Sequence, residues 1–201
     1  MNDGQGPAPP AELAAALIHS RQTILPRRLT APGPDTAQLA MILASAAAAP
    51  DHGQLMPWRF VIVPESARGR LADVFAASLI ERDPQATQEQ VGQAREKAHR
   101  GPLLMLVIGR LEGDDPDIDA AERLISAGCA IQNMLLTAHA QGFGAALTSG
   151  KALKSQALRA LFGLTAGEQA LCFISVGTAH RRKPARERPG PERYVSVLGD
   201  D

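Results

Sequence analysis

Residues 117–149 read DIDAAERLISAGCAIQNMLLTAHAQGFGAALTS, and the fold turns on how this stretch divides. From about Asp117 to Gln141 the apolar residues Leu124, Ile125, Ile131, Met134, Leu135 and Leu136 fall around most of a helical circumference. Such spacing predicts a long helix that lies in the middle of something. Gly142 supplies the stop, because glycine alone enters left-handed backbone freely at a helix end, and Gly144 to Ser149 returns as a short strand. The apolar segment Leu124 to Ala140 is broken by Gln132 and Asn133. It falls short of a bilayer span and reads as a buried helix of a cytosolic protein.

Toward the N-terminus, Leu103 to Gly109 is a continuous apolar run of strand length, which predicts a strand buried on both faces. Gln85 to Arg100 is polar nearly all round and predicts a solvent-facing excursion or lid. A helix is expected from about Ser66 to Glu81, and a strand over the aromatic and β-branched Trp58 to Val63. Asp35 stands at an N-cap with Gln38 three residues on, a capping box for an alanine-rich helix that Pro50 ends. Before it come a helix over Ala11 to His19 and a loop from Arg21 to Pro34. Residues 1–10 are rich in Gly and Pro and are expected to be disordered, with one domain over 11–201.

Toward the C-terminus, a helix near Leu153 to Phe162 leads to a second apolar strand, Ala170 to Gly177. From about Ala179 the chain becomes an Arg/Pro-rich extension, until Tyr194-Val195-Ser196-Val197-Leu198 restores a strand pattern with no core around it. That pattern predicts pairing with another sheet edge, such as a partner subunit's.

Lys and Arg together number 21, as do Asp and Glu, so no global field recruits nucleic acid or an anionic membrane. Any anion must be met locally. Cys129 and Cys172 sit in apolar runs without metal or disulfide spacing and read as buried thiols. No apolar stretch of signal-peptide length opens the chain.

Several catalytic patterns fail. Gly142-Phe143-Gly144-Ala145-Ala146-Leu147 lacks the third glycine of a dinucleotide fingerprint and precedes a strand rather than a helix. Gly144 to Lys151 misses the phosphate-loop spacing by one residue and ends in Ala152 instead of Ser or Thr. Neither a G-x-S-x-G nor an H-E-x-x-H occurs. His52 beside Asp51 reads as a turn residue, since adjacent side chains rarely face each other.

Three polar groups remain at the edges of apolar elements. Ser20-Arg21-Gln22-Thr23 places a guanidinium and a hydroxyl just past a helix, a suitable local anion site. The loop Ala49-Pro50-Asp51-His52-Gly53-Gln54-Leu55-Met56-Pro57-Trp58 offers the amide donors and acceptor of Gln54. Gln141 to Gly150 combines small residues, which let backbone approach a planar ligand, with the hydroxyls of Thr148 and Ser149.

In this order the three groups resemble the nitroreductase family, in its compact single-domain branch, over roughly Ala11 to Gly177. The resemblance implies an α+β three-layer sandwich: a central, mainly antiparallel sheet flanked by helices, a long buried helix and exchange of C-terminal strands in a homodimer. It implies FMN as cofactor and NAD(P)H as electron donor. Arg21, Gln22 and Thr23 would meet the FMN phosphate and ribityl chain. His52 and Gln54 would reach the flavin from the partner subunit, while Leu147, Thr148 and Ser149 line it. Gln141-Gly142 would lie near the nicotinamide, and Lys183 or a neighbouring arginine would add a phosphate contact. The chain departs from the family where Arg-Ser becomes Arg21-Gln22-Thr23, where two residues are inserted before Arg28, and where Gln54 and Met56 replace the common Asn and Gln. Ala48 stands where some relatives carry a basic residue.

The implied activity is ping-pong, two-electron reduction of nitroaromatic, quinone or similar conjugated acceptors, with the chemistry on the flavin and no obligatory acid/base side chain. Two other readings stand beside it: an FMN-binding or flavin-chaperoning module without turnover, and a flavin-free structural or ligand-binding α/β protein.

Overall fold

The computed structural model describes residues 9–113, 115, 117–181, 184 and 187–199. Most of the expected disordered segment and Lys183 lie outside these residues. The elements are α1 (Pro10–Ser20), β1 (Leu29–Thr30), α2 (Thr36–Ser45), β2 (Trp58–Ile62), α3 (Glu65–Arg82), α4 (Gln88–Glu96), β3 (Leu103–Arg110), α5 (Ala120–Ala140), β4 (Gly144–Thr148), α6 (Gln156–Phe162) and β5 (Glu168–Ala179).

The continuous apolar run 103–109 forms the middle of the sheet. β3 pairs antiparallel with β2, from Trp58↔Gly109 to Ile62↔Met105, and with β5, from Leu103↔Val176 to Arg110↔Glu168. The register slips between Val107 and Ile108, which face Cys172 and Ala170, so Leu171 is the extra residue of a bulge. β5 also pairs antiparallel with β4, Gly144↔Gly177 to Thr148↔Phe173, and at its far end with β1. One parallel contact, the isolated bridge Thr23↔Ala145, completes the mainly antiparallel pattern.

Because side chains alternate along a strand, β3 serves two cores. Leu103, Met105 and Val107 pack with Ile42, Ala127, Ala130 and Met134 beneath α2 and α5. Leu104, Leu106 and Ile108 pack with Leu71, Ala72 and Leu158 beneath α3 and α6. Helices therefore cover both faces, and the sandwich has three layers.

The helix starts follow their local chemistry. Asp35 accepts from the Gln38 backbone N–H at 2.8 Å and Gln38 Oε1 accepts from the Asp35 N–H at 2.9 Å, closing the predicted capping box. Asp119 caps α5, and Gly142 ends it at φ +89°.

Two expectations need correction. α5 is buried on one side only: Leu124 and Ile125 are exposed, Ile125 to 68%. Its apolar circumference exceeds what one chain covers. The segment 85–100 is not an excursion, because Ala94 and Ala98 are buried and α4 packs on α3. Its polar composition hid the two alanines that anchor it. Tyr194 to Leu198, expected to pair with another sheet edge such as a partner's, pairs with no strand among the described residues and is exposed, Leu198 to 97%; a strand there would take its edge from outside the chain.

Candidate functional site

A cleft of about 740 Å³ opens on the α3 face of the sheet, within the usual range for a small-molecule site. Leu104 of β3 and Phe173 and Ser175 of β5 line it, together with Phe75 and Leu79 of α3. The Phe75 and Phe173 rings meet edge to face, with centroids 5.7 Å apart. Gln90, Gln93 and Ala94 of α4 form one wall, and Leu25-Pro26-Arg27 with residues 148–153 form the other.

Polar groups converge on this apolar lining with one sign of charge. Arg27, Arg82, Lys97, Arg100 and Lys151 line the cleft, and no carboxylate stands among the lining residues. The Arg100 Nε is buried without a hydrogen-bond partner, an arrangement that costs free energy unless a ligand supplies the acceptor. Arg100 is carried on a turn that Arg68 fixes from below. Only 1% exposed, Arg68 donates through Nη1 to the carbonyls of Ala98 (3.0 Å) and Gly101 (3.1 Å), and through Nη2 to that of Pro102 (3.1 Å). Burial pulls the Arg68 guanidinium below its ordinary pKa, partly opposed by the charge of Glu65.

Of the residues singled out from the sequence, Thr148 and Ser149 line this cleft. Leu147 lies one position earlier on β4, opposite Ile174, and is exposed. Arg21, Gln22 and Thr23 run beside the first half of β4: Thr23 bridges Ala145, and the Ile24 N–H donates to the Ala145 carbonyl at 3.0 Å. Thr148 is three residues further along, about 10 Å at strand rise, and the chain turns into the cleft at Leu25. Arg21 also has its Nε buried without a hydrogen-bond partner, as do Arg100 and the fully buried Arg68, whose other nitrogens are held by backbone carbonyls.

His52 and Gln54 lie elsewhere. Their loop is closed by the Met56 N–H donating to Asp51 Oδ2 at 2.7 Å, and Gly53, Gln54 and Met56 all adopt positive φ. His52 Nδ1 meets Glu122 Oε1 at 2.7 Å, on the first turn of α5. By contrast Ser20, which precedes Arg21, meets His139 at 2.8 Å on the last turn of α5. Glu122 and His139 are separated by roughly 25 Å at the helical rise. A single chain thus brings Arg21, Gln22, Thr23, Leu147, Thr148 and Ser149 to one region and leaves His52 and Gln54 at the other end of α5.

Gln141 is not among the residues that line this cleft; its Nε2 donates to the Gln38 carbonyl at 3.3 Å and ties α5 to α2. One expectation changes here. Gly144 is small for packing rather than for ligand approach: a Cβ there would stand 2.9 Å from both Ala179 Cβ and Leu29 Cδ2. Sequence reading missed Arg27, Gln90, Gln93, Lys97 and Arg100. Gln90, Gln93 and Lys97 fall at helical spacing on one face, the one signal that could have found them. Among the described residues no group of three His, Cys, Asp or Glu could hold a metal ion, and no helix is long and apolar enough to cross a membrane.

Comparison with known proteins agrees with this architecture. A Haemophilus influenzae protein provisionally named NAD(P)H nitroreductase is 33% identical over 152 residues, 76% of this chain and 82% of that protein. Escherichia coli YdjA, under the same provisional name, is 32% identical over 172 residues, 85% and 92% of the two chains. Among solved structures, a nitroreductase-like family protein from Bacillus cereus superposes with TM-score 0.77 at 19% identity, covering 92% of this chain and 96% of that one. The FMN-dependent nitroreductase NfnB from Mycobacterium smegmatis, solved with NADPH, gives TM-score 0.71 at 17% identity and covers 94% and 99%. The family model described as Nitroreductase family matches residues 18–178, and with the three-layer fold and relatives above it places this chain in the nitroreductase family.

Proposed function

We propose that this chain is an FMN-dependent oxidoreductase that takes electrons from NAD(P)H and reduces nitroaromatic, quinone or similar conjugated acceptors as a cytoplasmic homodimer. The observation that carries the reading is the pairing of an apolar-floored cleft whose charged lining residues are all cations with the buried Nε atoms of Arg21 and Arg100, which, unlike the structural Arg68, lie beside β4 and in the cleft and have no hydrogen-bond acceptor among the described residues. A phosphate-bearing planar cofactor supplies what each lacks: anionic oxygens for the guanidinia and a ring for the apolar floor. The names of the relatives, which include NAD(P)H and FMN, support the choice of donor and cofactor.

On this reading Arg21 and Thr23, with Gln22 between them, hold the phosphate and ribityl chain beside β4. Leu147, Thr148 and Ser149 line the cofactor where β4 ends. His52 and Gln54 of the partner subunit reach it across a two-fold axis, because in their own chain they stand at the opposite end of α5. The exposed Leu124 and Ile125 face of α5 and the bare Tyr194 to Leu198 segment are the surfaces that such a dimer covers.

FMN, when bound, supplies the two-electron relay between donor and acceptor. The protein's own residues bind, orient and admit. One open cleft serves donor and acceptor in turn, which gives a ping-pong order. For a nitroaromatic the balance is NAD(P)H, one proton and the nitro compound giving NAD(P)⁺, the nitroso compound and water. Lining hydroxyls and amides position substrate while solvent delivers the proton, so no side chain is assigned an obligatory acid/base role.

The test is anaerobic mixing of the purified protein with NADPH, followed by a quinone. Bleaching of the flavin band and its return on adding the quinone are expected. Flavin that never bleaches would mark a flavin-holding module without turnover, and a colourless monomer that takes up no FMN would overturn the reading altogether.

A further inference from the structure

The cations of the cleft outnumber what a cofactor phosphate uses. Arg27, Arg82, Lys97 and Lys151 are all solvent-exposed around its opening, and none joins an ion pair among the described residues. Arg100, half-buried, has only a 3.5 Å contact with Glu96. The chain as a whole has formal net charge zero, so this positive potential is a local arrangement. On the functional reading above, the phosphate belongs to Arg21 beside the first half of β4, about 10 Å from Thr148. In a ping-pong order the rim charges meet the phosphates of the donor first and, once the donor has left, stand free to act on the second substrate.

We infer that the cleft selects an anionic second substrate: an aryl acceptor bearing a carboxylate or sulfonate. This rests on the oxidoreductase reading and adds the substrate class to it. The physical basis is focusing. A mouth lined by one sign of charge, backed by the apolar Phe75, Leu79, Leu104 and Phe173, concentrates its field into the opening and raises encounter rates for the opposite charge by about 10- to 1000-fold. Arginine then meets the carboxylate with paired donors while the ring lies against apolar surface. Gln90 and Gln93, which carry no charge, accept or donate to either kind of ring substituent and do not oppose the selection.

The pair 4-nitrobenzoate and 4-nitrobenzamide tests it, because both carry the same reducible group on the same frame and differ in one charge. Equilibrium dialysis against the flavin-loaded protein should show the benzoate bound about tenfold more tightly at low salt, with the preference falling below about twofold near 0.5 M NaCl, where screening is nearly complete. The ratio of kcat/KM for the two acceptors should follow the same course. The double variant Arg82→Gln, Lys151→Gln should lower that ratio at least about threefold at low salt, and because it is a ratio, a general loss of activity cancels. Equal binding of the two compounds at low salt, or a preference indifferent to salt, overturns the inference, and turnover of the benzamide would then leave the oxidoreductase reading standing. A salt-sensitive preference for the benzoate in a protein whose flavin NADPH never bleaches supports the anion site and sinks the oxidoreductase reading instead.

Discussion

Glu168 offers the most quantitative test of the structure. Its carboxylate accepts from Arg59 Nε at 2.7 Å and Nη2 at 2.9 Å, and from the Thr165 N–H at 3.1 Å. The Arg59 hydrogen bonds hold its pKa at about 2, below the ordinary 4.5, against the opposing effect of burial and with further help from Thr165 and the charges of Arg59 and Arg110. A depressed carboxylate stabilises the fold above its unfolded pKa, and the contribution is lost as pH falls toward the folded value. The interval of about 2.5 pH units, at about 1.36 kcal/mol each, sets a ceiling of roughly 3.4 kcal/mol. The Arg59 side chain is 27% exposed, so screening by water reduces the expectation to about 2 kcal/mol. Urea denaturation of the wild type and of Glu168→Gln, compared from pH 7 to pH 3, isolates this carboxylate from all others. The gap between the two should be about 2 kcal/mol at pH 7 and should shrink by more than half at pH 3. A gap that stays constant with pH would refute the assignment of the stabilisation to the charged form.

Arg68→Met removes the donor from three carbonyls at the α4–β3 turn and should cost about 3–5 kcal/mol in chemical denaturation; a loss under about 1 kcal/mol would show that water replaces it readily. Gly144→Ala puts a Cβ 2.9 Å from two neighbours and should destabilise by about 1–3 kcal/mol. Gly150→Ala, with nothing within 4 Å of the new atom, should be nearly neutral in the same chemical denaturation. Arg21→Ala should lower FMN retention on gel filtration more than His52→Ala does. Full flavin occupancy in both variants would remove Arg21 and His52 from the site.

Much of the fold was legible because it rests on local chemistry. The Asp35/Gln38 box, the Gly142 stop and the uninterrupted apolar run at 103–109 each name one conformation. The two-faced burial of β3 followed from that run alone. α5 was misjudged for the opposite reason: periodicity reports which face is apolar and not which molecule covers it, so Ile125 reads the same whether its neighbour is intramolecular or not. At the site, Thr148, Ser149 and the Arg21 segment were visible because small and polar residues interrupt apolar elements there. Lys97 and Arg100 were not, since a cation on a polar helix ordinarily marks solvent. Only the packing of α4 on α3 through Ala94 and Ala98 turns that face toward the cleft.

The twelve-residue β5 sits where three other strands meet it, each contributed by a remote part of the chain. A ribosome releases it after nearly everything that it must bind. Until residue 168 emerges, β3 lacks half of its hydrogen bonds and β4 has no antiparallel neighbour, so the growing polypeptide exposes an apolar ribbon from the synthesis of β3 to that of β5. The last strand of the sheet is also its keystone, and the nascent protein is most in need of a chaperone just before that strand emerges.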